Sequence, residues 1–193
     1  MSFYSYLRKK IYPHEIIVEN IPMNANILDI GCGRGTILDD KILSKINLYT
    51  GIDPKIKKQI IKKKIKIYNS TVKNILKEVK NYDCIIMIDV MHHILKSEQE
   101  FIIKNIINSI KKNSIFIYKD ISNRNLFYSF MNAVHDLLYN FEFIKYFESN
   151  IIINLLKQNN NYSYNHFYKR ILWFDHEFII IKKITNFHSS LRR

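Results

Sequence analysis

ILDIGCGRG, residues 27–35, holds three of the four glycines in a chain of 193 residues. The fourth, Gly51, lies in TGIDP (50–54), so every glycine falls within 21 residues. Glycine is needed where the backbone takes positive φ or where a ligand must approach the main chain closely. The glycines follow NILDI (26–30), a short apolar run, and precede TILDDKILSKI (36–46), whose apolar residues have helical spacing. The local pattern is strand, glycine turn, helix. Amides at such a turn and at the helix start face a nucleotide.

The same alternation continues outward from this unit. A leading helix is expected over residues 3–20, ended by Pro22 and forming the first part of the chain (1–22). NLYTGID (47–53) reads as a second strand, and Pro54 is placed to open a second helix. KIKIY (64–68) is a third strand, TVKNILKEVK (71–80) a helix, and YDCIIMID (82–89) the most apolar, central strand. SEQEFIIKNIINSIKK (97–112) is an amphipathic helix and NSIFIYKD (113–120) a fifth strand. Residues 123–162 are expected to be a helical, aromatic-rich segment, with eight aromatics between Phe127 and Phe147. SYNHFYKRILWF (163–174) and HEFIIIKKI (176–184), with only Asp175 between them, must pair as a hairpin. The expected fold is α/β: a single domain spanning 1–193, with a doubly wound, seven-stranded sheet that is mostly parallel.

Composition narrows the class. An apolar fraction of 47% excludes a disordered chain. No run approaches the ~18 apolar residues of a membrane span, and MSFYSYLRKK lacks a signal core, so the expected location is cytoplasmic. Two cysteines, Cys32 and Cys84, make neither a disulfide scaffold nor a four-ligand zinc site, and no metal site is expected. The net charge of +13 points towards nucleic acid. However, Lys, Ile and Asn, all with AT-rich codons, make up 82 of the 193 residues, which favours compositional drift. The densest run, Lys55–Lys66 with seven lysines, reads as an exposed helix face and the loop after it.

Asp29, two residues before Gly31, decides which nucleotide fits. A carboxylate aimed into the turn repels a pyrophosphate, and Thr36 stands where the dinucleotide fingerprint needs its third glycine. It attracts an ammonium group instead, and S-adenosylmethionine carries an ammonium, a sulfonium and no phosphate. Asp53, ending strand two, can accept hydrogen bonds from ribose hydroxyls. The plain alternatives are an Asp29 that caps local amides and an Asp53 that caps a helix. Cys32 reads as a small buried turn residue.

ILDIGCGRG followed by TGIDP resembles the first two signatures of class I S-adenosylmethionine-dependent methyltransferases. YDCIIMIDVMHHI resembles their fourth-strand region, especially in members that act on small molecules, and the likeness spans residues ~20–184. It implies the strand order 3-2-1-4-5-7-6 and S-adenosylmethionine as cofactor. By position, Asp29 would orient the methionine amino group, the backbone of Gly31, Cys32, Gly33 and Gly35 would approach it, and Asp53 would bind the ribose. Ser70-Thr71 stands where many relatives have an acid near the adenine, so a Thr71 hydroxyl takes that role. Asp89 closes the cofactor side at strand four.

Methyl transfer is an in-line displacement in which the protein aligns the acceptor and, where needed, removes its proton. The candidate bases are Asp89, His92 and His93 after strand four and Asp120 after strand five, with His135-Asp136 in the helical segment; a histidine best suits the removal of a hydroxyl or ammonium proton. Each histidine also has a bland reading, as a packing or capping residue. Asp89-Val90-Met91-His92 lacks the prolines of the turn used by amino-group methylases of DNA bases. A small-molecule acceptor is therefore expected. The alternative is an RNA or protein methyltransferase that uses the basic surface.

Overall fold

The computed structural model describes residues 14–122, 124, 145–171 and 174–184. Its helices are α1 (His14–Asn20), α2 (Asp40–Lys45), α3 (Val72–Ile75), α4 (Lys96–Ser109) and α5 (Asn150–Lys157). The strands are β1 (Ala25–Ile30), β2 (Ile46–Ile52), β3 (Ile60–Lys62), β4 (Ile65–Tyr68), β5 (Cys84–Ile88), β6 (Ile115–Ile121), β7 (Tyr162–Ile171) and β8 (Phe174–Lys183). They form one sheet in the order β3-β4-β2-β1-β5-β6-β8-β7. β4, β2, β1, β5 and β6 run parallel, and β8 and β7 return antiparallel. The expected order is present, with β3 added at one edge.

Alternation along the strands sends one core to each face. Ile27, Tyr49, Ile67, Cys84 and Ile86 face Ile17 and Ile21 of the α1 region and Ile42 of α2. On the other side Leu28, Ile85, Met87, Phe116 and Ile179 face Ile102 and Ile106 of α4 and Ile152 and Leu156 of α5. β5 is buried throughout, as its unbroken apolar run requires of a central strand. No helix among the described residues is long and apolar enough to cross a membrane.

Four expectations are corrected. The glycine turn does not pass directly into a helix: it continues to Ile37, and α2 begins only where Asp39 accepts the Ile42 amide at 2.9 Å. No helix follows Pro54. From Pro54 to Lys64 only Ile56 is buried, which leaves no stripe to hold a helix, so the lysine run forms a turn and the exposed edge strand β3. Asp175 lies inside β8 rather than between the hairpin strands, opposite Arg170. Within the expected helical segment 123–162, Lys145–Glu148 is irregular and Tyr162 begins β7. Residues 125–144, with His135, Asp136 and most of the aromatic cluster, lie outside the described residues, as do 1–13 of the leading helix.

Gly31 links the turn to the far side of the cleft. Its φ is +74°, and a Cβ there would lie 2.2 Å from Val90 Cγ2. Gly31→Ala is expected to lower the unfolding free energy by about 2–4 kcal/mol, from backbone strain plus overpacking. Adding Val90→Ala should recover the steric share and leave the conformational share. Urea denaturation of the single and double variants separates the two.

Candidate active site

β1 pairs with β2 so that Asp29 lies directly across from Gly51. A Cβ on Gly51 would lie 2.5 Å from Cys32 Sγ and 3.0 Å from Tyr49 Cε1, so glycine lets both side chains close around the carboxyl. Tyr49, two residues before Gly51 on the same face, donates its hydroxyl to Asp29 Oδ2 at 2.5 Å. Both side chains are buried. Burial pushes the Asp29 carboxyl up to about 7; the tyrosine hydrogen bond pulls it down, and the Asp53 charge adds to the rise. No cation pairs with Asp29 among the described residues.

Asp53 joins the end of β2 to the turn. Its Oδ2 accepts the Gly33 amide at 2.9 Å, and its Oδ1 accepts the Lys55 amide at 2.7 Å. Gly31 and Cys32 amides both donate to Ile52 O, at 2.8 and 3.1 Å. The turn is thus held by β2 and Asp53, with Gly31, Gly33 and Gly35 all at positive φ. Cys32 is buried, its thiol raised to about 12 by burial first and the Asp29 charge second, which fits a packing residue. Beyond β4, Ser70 lines a pocket of about 390 Å³ with Thr50, Ile52, Tyr68, Ile75 and Tyr82. Thr71 is exposed at the start of α3 and makes no side-chain cap bond to it.

The second half of the site follows β5. Asp89 takes φ +55°, and the next residues, Met91–His93, form one 3-10 turn. Burial alone would raise the Asp89 carboxyl, but Lys119, buried on β6 with its Nζ 2.6 Å from both oxygens, holds it at about 2. His92 Nδ1 contacts Asp120 Oδ1, and both side chains are buried. The His93 ring lies 4.1 Å from the His92 ring, centroid to centroid, and is half-buried. Asp89, His92 and Asp120 each bring one atom within 4.8 Å of the others, a spacing a cation can span. Lys119 already supplies positive charge there. Gln99 of α4 fixes the turn: its Nε2 donates to Met91 O at 2.9 Å and to Lys145 O at 2.8 Å.

The fold matches known proteins. The methyltransferase domain family matches over residues 7–164. The chain belongs to that family. It is an enzyme of the class I, S-adenosylmethionine-dependent methyltransferase superfamily. A SAM-dependent methyltransferase from Archaeoglobus fulgidus is similar at 17% identity and TM-score 0.66, over 94% of this chain and 100% of that one. The magnesium protoporphyrin IX methyltransferase (ChlM) from Synechocystis PCC 6803 with bound SAH is similar at 14% and 0.64, over 95% and 88%. The plantazolicin methyltransferase BpumL, in complex with a pentazolic desmethylPZN analog and SAH, is similar at 14% and 0.64, over 94% and 90%. No curated protein sequence matches the chain.

The methyltransferase thus has Asp29, Gly31, Cys32, Gly33, Gly35 and Asp53 in one cluster, and Asp89, His92 and His93 in the turn beyond β5. Sequence reasoning missed Tyr49, Lys119 and Gln99. Tyr49 and Gly51 share a strand face in NLYTGID, and Lys119 is the lone charge before the end of an apolar strand; both were available signals.

Asp29 makes stability depend on pH. Its folded value, about 7, lies above the ordinary ~3.9, so folding favours the protonated form. The contribution is present below pH ~4 and lost as pH rises to about 7. Relative to Asp29→Asn, the parent should lose on the order of 4 kcal/mol between pH 4 and 8. Parallel urea titrations at four pH values measure the difference; identical slopes would remove Asp29 as the buried acid.

Proposed function

We propose that this methyltransferase transfers the methyl group of S-adenosylmethionine to a small-molecule acceptor. The observation that carries the reading is the buried Asp29 carboxyl at the glycine turn, paired with a hydroxyl and with no cation among the described residues. An ammonium group beside it would stabilise the ionised form. The turn offers backbone rather than side chains at Gly31, Gly33 and Gly35, and each Asp53 oxygen keeps a lone pair after accepting one amide. These features fit the cofactor.

In this reading Asp29 orients the amino group, the backbone from Gly31 through Cys32 and Gly33 to Gly35 lies along the methionine part, and Asp53 accepts the ribose hydroxyls. Ser70, which lines the pocket, joins Thr71 as a hydroxyl for the adenine. Asp89 bounds the same side through the lone pairs that Lys119 leaves. When bound, the cofactor supplies an electrophilic methyl on sulfur. His92 takes the acceptor's proton, with His93 beside it; His135 stays a candidate in the segment outside the described residues.

Charge supports a small acceptor over RNA. Asp120, Asp175 and Glu177 are buried near the acceptor-side ends of β6 and β8, where phosphates would be repelled. The lysines that give the chain its positive charge include Lys57, Lys58, Lys62 and Lys63, all exposed on the turn and edge strand at the other border of the sheet. The small-molecule names of several structural neighbours point the same way: a magnesium porphyrin, a plantazolicin analog and a fatty-acyl-phospholipid.

S-adenosylhomocysteine should raise the melting temperature, with about 2.7 kcal/mol of stabilisation at 100-fold excess over its dissociation constant. Asp29→Asn and Asp53→Ala should each weaken it roughly ten- to a hundredfold, the loss of one charge-assisted contact, while the fold persists. Calorimetry that finds parental affinity in both variants would sink the cofactor assignment.

The acceptor class is tested separately. Replacing Lys57, Lys58, Lys62 and Lys63 with glutamate should leave methyl transfer to small molecules unchanged. Labelled methyl incorporated into bulk RNA by the parent, and abolished in this variant, would reverse the assignment.

A further inference from the structure

We propose that Asp120 is the positioning residue of a His92–Asp120 dyad, and that the acceptor is therefore a nucleophile still protonated at neutral pH, a hydroxyl or an ammonium group. The inference deepens the functional reading above and rests on it. Asp120 holds His92 at two points: Oδ1 contacts the ring Nδ1, and Oδ2 accepts the His92 backbone amide at 3.2 Å. The Ile121 amide donates to Oδ1 at 2.8 Å and fixes the carboxylate itself. Gln99 pins the turn from the other side, and the Lys145 amide donates to His92 O at 3.1 Å. A ring held at side chain, backbone and flanking carbonyls has one orientation.

The counter-charge argument is independent of that clamp. A buried carboxylate needs a positive partner. The nearest lysine in sequence, Lys119, leaves β6 on the opposite face and places its ammonium on both oxygens of Asp89. Asp89 itself comes within 4.8 Å of Asp120, so the Lys119 charge is taken up by a second carboxylate of the same cluster. The Arg124 guanidinium is engaged by Asp175 on β8, at 2.9–3.2 Å. Glu177 lies directly across β8 from Asp120 and adds a second negative charge; its own donors are Ser149, His166 and Tyr168, at 2.7, 2.7 and 3.0 Å. The imidazole of His92 is the group in contact with Asp120 that can become positive. The structure pairs a buried acid with a base that gains charge only by taking a proton.

With Nδ1–H donated to Asp120, Nε2 is the basic nitrogen. A hydroxyl oxygen bonds the methyl carbon as its proton leaves, whereas an ammonium gives up its proton first and only then has the nitrogen lone pair that forms this bond. In both cases the electron pair of the carbon–sulfur bond goes to sulfur. The acceptor's proton passes to Nε2, Asp120 holds the ring through Nδ1–H, and the proton then leaves to water. Carboxylate and thioether nucleophiles have no proton to lose and would gain nothing from the dyad.

Long-range proton–nitrogen NMR on the full chain labelled at histidine tests this without a substrate, with His92→Gln giving the assignment. The parent should show His92 as the Nδ1–H tautomer. Asp120→Asn should lower its pKa by ~1–3 units, and Asp120→Glu should restore most of the shift. Groups common to all variants are His93 and the Lys119-paired Asp89 near the turn, and Glu177 and the buried His176 on β8. An Nε2–H tautomer in the parent, or an unchanged His92 pKa in Asp120→Asn, would overturn the dyad. Thermal shift with S-adenosylhomocysteine on the same samples reports the cofactor reading alone. For the acceptor, transfer to catechol or phenethylamine should fall at least a hundredfold in His92→Gln, in kcat rather than KM. Transfer to benzoate or dimethyl sulfide at the parental rate in that variant would refute the acceptor class.

Discussion

The parallel pairing of β1 with β2 is the constraint on which the glycine-turn half of this enzyme depends. It sets Asp29 across from Gly51 and brings Tyr49 and Cys32 around the carboxyl. The resulting environment is dry enough to push the Asp29 carboxyl up to about 7, yet the acid keeps one hydroxyl partner. Desolvation would make a permanent charge at this point costly. On the reading proposed above, a ligand ammonium would remove that cost and couple the energetics of the fold to binding.

The histidine turn beyond β5 depends on alternation along one strand. Lys119 and Asp120 are neighbours in sequence and belong to opposite faces of β6. Lys119 neutralises Asp89 and holds the residue at the start of the histidine turn, whereas Asp120 clamps the histidine within that turn. Two charges of opposite sign, adjacent along the chain, thus perform separate tasks without cancelling each other. The outer surface is basic and the buried groups at these strand ends are mainly acidic. Net charge, on this view, reports on the solvated shell and not on the chemistry of the cleft.

The missed secondary structure has a common cause. The lysine-rich stretch after Asp53 contains isoleucines that satisfy a helical template, but an edge strand needs only one of its sides covered. Asp53 and Asn69 settle the choice, the first by accepting the Lys55 amide and the second by donating to Ile56 O at 2.7 Å. Likewise, Thr36 starts a helical-looking run, yet Asp39 supplies a capping carboxylate three residues later and the helix waits for it.

Sequence alone determined the order of the seven expected strands, the glycine turn, and the placing of Asp29 and Asp53 at that turn, because each is written in neighbouring residues. Periodicity, turn chemistry and glycine placement are local properties of a chain. It also marked His92 and His93 as candidates without separating them. Only the tertiary structure paired Tyr49 with Asp29, Lys119 with Asp89, and Asp120 with His92, across separations of 20, 30 and 28 residues. Those pairings follow from strand register, and a slip of one residue would exchange the faces of Lys119 and Asp120. Register is decided by burying two whole faces of a sheet at once, which no single stretch of sequence contains.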